Sequence, residues 1–153
     1  MLTWIFIIVG IVVIAALSIY AGILLAKVRV QRKALAENER KRMNYLHESI
    51  ETIAKAMQQE QCAYSEGCIR IAVLLDNLPN AKENDFAVRW PVIHEMYERI
   101  KHMPTHKARK EFPKQEIRKL DREREAYEIE LAEGIQTDVV TLIAWVKKER
   151  ARS

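Results

Sequence analysis

From Leu2 to Ala26 the chain carries no charged residue, and a basic cluster begins at Lys27. A helix over those residues would reach roughly 38 Å at about 1.5 Å per residue, more than the roughly 30 Å hydrocarbon core requires. In lipid, a helix satisfies every backbone polar group within its own segment. A secretory signal peptide would open with basic residues, carry a shorter apolar stretch and close on an Ala-x-Ala-like site. None of these features precedes Lys27, so the sequence predicts a retained membrane anchor over residues 2–26.

Flanking charge sets the expected orientation. Lys27, Arg29, Arg32, Lys33, Arg40, Lys41 and Arg42 follow the apolar run, opposed only by Glu37 and Glu39. Positive residues are retained on the cytoplasmic side. The expected topology is a single-pass inner-membrane protein with its N-terminus outside and its C-terminal domain in the cytoplasm. The basic cluster would also rest on anionic lipid headgroups. Ser18, Gly22 and Ala26 recur every four residues, a spacing that lets two membrane helices approach closely. A homodimer through that face is therefore an expectation.

All 25 Lys/Arg and all 21 Asp/Glu lie beyond the apolar run, leaving a formal charge of +4 that the juxtamembrane cluster largely explains. Only four glycines and four prolines are available for turns. Few turns with abundant Glu, Lys, Arg, Ala and Leu favour long helices. Residues 27–60 contain no helix breaker, and Leu35, Met43, Leu46, Ile50, Ile53 and Met57 form a stripe at helical spacing, which predicts a juxtamembrane stalk helix entering the bundle. Residues 61–153 form the remainder of the domain. Ser65 is the expected N-cap of a second helix over 66–78, apolar nearly all round and so placed mid-core. Residues 80–89 read as a loop. Pro91 starts a third helix, one short turn is expected within 105–111, and Pro113 opens the last helix, to about Arg150, with Gly134 as its weak point. The predicted fold is all-α: one transmembrane helix continuing into a stalk, then a small cytoplasmic bundle of four or five helices, with no sheet.

Chemistry is harder to find. His47-Glu48 and His94-Glu95 each lack the second histidine of an H-E-x-x-H zinc motif. No serine lies in a G-x-S-x-G elbow, and there is no glycine-rich phosphate loop. No catalytic residue and no cofactor are assigned, and the chain is read as not an enzyme, although a site built from scattered helix residues is the third option. Cys62, Cys68, His102 and His106 are the metal or thiol-redox candidates. Their spacing is not a zinc-knuckle spacing, and Pro104 divides the two histidines. Cysteines in a cytoplasmic domain stay reduced, and Cys68 falls in the most apolar helix, so packing thiols are the favoured reading. The basic residues between Lys107 and Arg124 are interleaved with Glu and Asp at i,i+3 and i,i+4, which describes a self-paired solvated face rather than a nucleic-acid surface. Trp145, in Leu-Ile-Ala-Trp-Val, is expected to dock on its own domain.

Three strings, Gln61-Cys62-Ala63-Tyr64-Ser65-Glu66-Gly67-Cys68-Ile69-Arg70, Lys101-His102-Met103-Pro104-Thr105-His106 and Lys119-Leu120-Asp121-Arg122-Glu123-Arg124-Glu125, together resemble a family of short bacterial membrane-anchored proteins described only as a domain of unknown function. The resemblance implies a bacterial inner membrane and brings no activity and no functional residue. The functional expectation is a membrane-anchored interaction or scaffold module with an unidentified protein partner. The alternative is the metal or thiol-redox module.

Overall fold

Between Leu2 and Gln58 the chain has no proline and only Gly10 and Gly22 as weak helix formers, and in the computed structural model this stretch is the single helix α1. The structure describes residues 2–79, 81–104 and 108–152. Five further α-helices follow: α2 (Tyr64–Asp76), α3 (Ala81–Asn84), α4 (Phe86–Arg89), α5 (Pro91–Ile100) and α6 (Lys114–Arg152), with a 3-10 turn at Ala108–Glu111. No strand occurs among the described residues. The all-α expectation holds.

The chain divides into two compact units, Met1–Lys41 and Arg42–Ser153. The first is helical and leaves its large apolar side chains uncovered, including Trp4, Phe6, Ile14, Leu17, Ile19 and Leu25. It holds the described helix segment long and apolar enough to cross a membrane, with a mean hydropathy of 2.8 over its most apolar window and nothing in that window buried.

The second unit is a bundle whose core follows helical spacing. The last turns of α1 contribute Leu46, Ile50, Ala54 and Met57, and α2 contributes Cys68, Ile71, Ala72 and Leu75. Ile93, Met96 and Ile100 come from α5, and Leu131, Ile135, Val139, Leu142 and Val146 from α6. Each fully buried Leu, Ile or Met of this set stabilises the fold by about 1.5–3 kcal/mol relative to exposure. Leu35 stands outside this core at 63 % exposure, although it shares the sequence stripe.

α1 ends where Glu60 takes a positive φ of 57° and the Gln61 N–H donates to the Ala56 carbonyl at 2.8 Å, a left-handed helix stop built without glycine. α2 begins at Tyr64, two residues before the expected start, and Ser65 is not its cap. The Ser65 backbone N–H instead donates to the Glu128 carboxylate of α6 at 3.0 Å. The segment expected as a loop over 80–89 holds the single-turn helices α3 and α4. The reason is Phe86, which is buried against Trp90 and Trp145 and draws its polar flanks into a turn. α6 continues unbroken through Gly134. A Cβ there would come within 2.9 Å of Val92 Cγ1, so its absence lets α5 approach.

Polar ties fix α5 on α6. Asp138 Oδ2 accepts the backbone N–H groups of Val92 (2.9 Å) and Ile93 (3.1 Å), the first donors of α5, which otherwise lack intrahelical partners. The indole N–H of Trp90 donates to Thr141 Oγ1 at 3.1 Å, and Thr141 Oγ1 donates to the Asp138 carbonyl at 2.9 Å.

Candidate functional site

Of the four residues singled out as metal or redox candidates, the three that the structure describes, Cys62, Cys68 and His102, belong to no group placed to hold a metal ion. Cys68 is fully buried on α2, and burial pushes its thiol up to about 12. Cys62 is partly exposed, contacts the Ala63 carbonyl through Sγ at 3.6 Å, and is also pushed up, chiefly by burial. Both are free thiols. A raised thiol carries little thiolate at neutral pH, and the thiolate is both nucleophile and metal ligand. His102 is exposed in the turn after α5, and His106 lies outside the described residues. Among the described residues no group of three or more His, Cys, Asp or Glu side chains is placed to hold a metal ion. The metal or redox alternative is not favoured.

What the second unit does present is two concavities that share Ile69 and Arg70 in their linings. The larger is an open groove of ≈ 720 Å³ between α1 and α2. Tyr45, Ser49 and Ile53 form one wall at intervals of four residues, and Ile69 with Val73, and Arg70 with Leu74, form the other at the same interval. Tyr45 is 67 % exposed and Val73 44 %. The exposure of Val73 corrects the expectation that α2, apolar nearly all round, sits in the middle of the core. One face packs through Cys68, Ile71 and Leu75, while Val73 stands outward. The excess of apolar residues on α2 was the sequence signal for this groove, and reading it as depth alone missed it.

The smaller concavity, of ≈ 370 Å³, lies between α2, the end of α5, the 3-10 turn and the start of α6. Ile69, Ile100, Met103, Ile117 and Leu120 line it, with Arg70, Arg109 and Arg124 among its polar residues. Arg109 holds Asp121 with two hydrogen bonds, Nη1 to Oδ1 at 2.9 Å and Nη2 to Oδ2 at 2.6 Å. That contact keeps the Asp121 carboxyl below the usual carboxylate range. Arg124 joins the same carboxylate at 3.2 Å, and Arg70 pairs with Glu66 at 2.6 Å.

A third cluster is aromatic and closed. Trp145 meets His47, Phe86 and Trp90 at centroid distances of 5.6, 5.6 and 5.2 Å, and the Arg89 guanidinium lies 5.5 Å from the Trp90 centroid and 5.7 Å from that of Trp145. Trp145 thus docks within its own domain, as its sequence setting suggested. Beside it, Glu51 is paired with Lys55 and Arg150, each at 2.7 Å, and the Lys55 hydrogen bond is the leading cause holding its carboxyl below the ordinary range.

In the first unit, the hydroxyl of Ser18 donates back to the Ile14 carbonyl at 2.8 Å, and a Cβ on Gly22 would meet nothing within 4 Å.

Fold and site together define an all-helical protein with, among the described residues, one candidate membrane helix and a bundle that carries two concavities. The comparisons place it further. The chain belongs to the family described as "Protein of unknown function (DUF2489)", whose model matches residues 14–142. An uncharacterized protein of Haemophilus influenzae is 34 % identical over 144 residues, covering 94 % of this chain and 95 % of the relative. No solved structure matches.

Proposed function

We propose that this protein is a membrane-anchored docking module. It spans the inner membrane once through residues 2–26, with its N-terminus outside and its bundle in the cytoplasm, and it holds a helical segment of another protein in the groove between α1 and α2. The groove carries this reading. Its two walls are rows of side chains at i, i+4 spacing, and the space between two such rows accepts the ridge of a third helix. Its lining is apolar at Tyr45, Ile53, Ile69, Val73 and Leu74 and polar at Glu48, Ser49, Thr52 and Arg70, the pattern that receives an amphipathic helix. The seven basic residues from Lys27 to Arg42 support the cytoplasmic placement. Gly22, open to close approach, supports pairing of two copies through Ser18, Gly22 and Ala26.

The test places a photocrosslinking residue at Tyr45 or Val73 of the full chain in native membranes. The expected result is a discrete protein adduct that Val73→Asp abolishes while the circular dichroism spectrum is unchanged. Adducts to lipid alone, or an adduct that survives Val73→Asp, overturn the reading. A reporter fused after Ser153 should be active in the cytoplasm, and periplasmic activity would reverse the topology.

A further inference from the structure

The smaller concavity is chemically unlike the groove. Its walls are aliphatic, with Ile100 buried at the base and Ile69, Met103, Ile117 and Leu120 half-buried around it. A volume of ≈ 370 Å³ has room for about a dozen water-sized groups at about 30 Å³ each. That is room enough for one medium acyl chain. The ionised side chains lining it are Arg70, Arg109 and Arg124 against Glu66 and Asp121, an excess of one positive charge.

The excess has a location. Arg70 is matched by Glu66. Arg109 and Arg124 converge on the single carboxylate of Asp121, with both side chains about a third exposed (34 % and 35 %). Arg109 spends two donors in a fork on Asp121, whereas Arg124 makes one longer contact of 3.2 Å, its only ion pair among the described residues. A guanidinium has five N–H donors, and its planar fork suits a carboxylate or phosphate oxygen pair. Asp121 therefore holds two cations in place at the edge of an apolar hollow and neutralises one of them.

We propose that this cavity binds an amphiphile with a single acyl chain and a monoanionic head group, the chain against Ile69, Ile100, Met103, Ile117 and Leu120 and the head on Arg124. Two sources supply that chemistry: a free fatty-acid-type anion from solution, or an anionic lysolipid already in the bilayer. The inference is independent of the groove reading and concerns the smaller concavity alone. A protein that lacks a helical partner altogether would leave it untouched.

The experiment uses the full chain in nanodiscs of zwitterionic phosphatidylcholine, with its methionine methyl groups labelled with carbon-13. Met103 lines the cavity, whereas Met57 and Met96 are fully buried in the core and serve as internal controls. Octanoate and decanoate are titrated in, with binding corrected for discs lacking protein. Decanol and decyltrimethylammonium test the head group, and discs doped with lysophosphatidylglycerol test the membrane source. Decanoate should shift the Met103 methyl resonance and leave Met57 and Met96 in place. It should bind about fifteenfold tighter than octanoate, since each buried methylene adds about fourfold. Arg124→Gln, at a partly exposed position that leaves the Arg109–Asp121 pair intact, should weaken decanoate about tenfold and leave decanol unchanged. A Met103 shift with lysophosphatidylglycerol but not decanoate assigns the ligand to the membrane, and the reverse assigns it to solution. Failure of every anion to move Met103 overturns the proposal. So does an equal response to decanol or decyltrimethylammonium, or unchanged decanoate affinity in Arg124→Gln.

Discussion

The thioether of Met57 occupies the space where a side chain on Gly67 would begin. A Cβ built on Gly67 would fall inside 3.0 Å of both Sδ and Cγ of Met57, and Met57 is fully buried. Gly67 lies within α2 and its φ is not positive, so close packing against α1, and not turn geometry, is what requires glycine there. Gly67→Ala should destabilise the bundle by about 1–3 kcal/mol through overpacking, despite the better helix propensity of alanine. Met57→Ala alone should cost about 2–5 kcal/mol as a cavity mutant. The double mutant should lose less than the sum, because one change makes room for the other. Thermal melts of the four proteins by circular dichroism decide this. Strict additivity would show that the two residues do not compete for space.

Asp138 should matter through its acceptor oxygen more than through its charge. Burial pushes its carboxyl up, with the Ile93 and Val92 N–H groups pulling the other way. Asp138→Ala leaves those two donors at the start of α5 without a partner and should cost about 2–3 kcal/mol. Asp138→Asn keeps an amide oxygen for them, sheds the buried charge and should cost under about 1 kcal/mol. Equal losses in the two variants would show that the charge, not the capping oxygen, is what α5 needs.

His47 should make the bundle sensitive to mild acid. It is buried edge-on to Trp145, and its Nδ1 has no hydrogen-bond partner. Burial is the leading cause that lowers its pKa; Glu149 opposes this and Arg150 reinforces it. With the folded pKa below the unfolded value of about 6.5, the unfolded chain takes up the proton first. Stability contributed by neutral His47 is therefore complete above about pH 6.5 and is lost as pH falls below it. His47→Phe keeps the aromatic contact and removes the titration. Melting temperatures measured between pH 7.5 and 5 should fall less steeply in His47→Phe than in the parent, and parallel curves would refute the assignment.

The two thiols should be separable by reagent. In the folded protein at pH 8, maleimide should modify Cys62 slowly and leave Cys68 unmodified over the same period, since a thiol at about 12 is about 0.01 % thiolate there and is also fully buried. In denaturant both should react at once. Peptide mapping by mass spectrometry gives the answer, and rapid native labelling of Cys68 would mean that α2 opens readily.

The sequence made the apolar run, the long last helix and the Pro91 start legible because each has a local cause: absence of charge, uninterrupted periodicity, or a residue suited to the first helical position. The concavities were less legible. Ile117 and Leu120 continue the stripe of α6 and look like core, but only from Leu131 onward is that stripe fully covered. Periodicity reports which face of a helix is apolar and not whether something lies over it. The arginine pair on Asp121 was equally hidden. Asp121 and Arg124 are local at i,i+3, but Arg109 arrives across a gap of 12 residues through the turn at Ala108–Glu111. Ser65 misled for a similar reason, because its N–H is taken by Glu128, 63 positions away. Capping by distant residues leaves no trace in local pattern.

Ile69 and Arg70 belong to both depressions, so a short piece of α2 is common to their linings. A guest in one that turned the arginine or pressed the isoleucine would change the lining of the other. By thermodynamic reciprocity, the second guest would then be felt by the first to the same degree. A protein segment and a small amphiphile that both touched this piece of α2 would then report on one another through two adjacent residues of one helix.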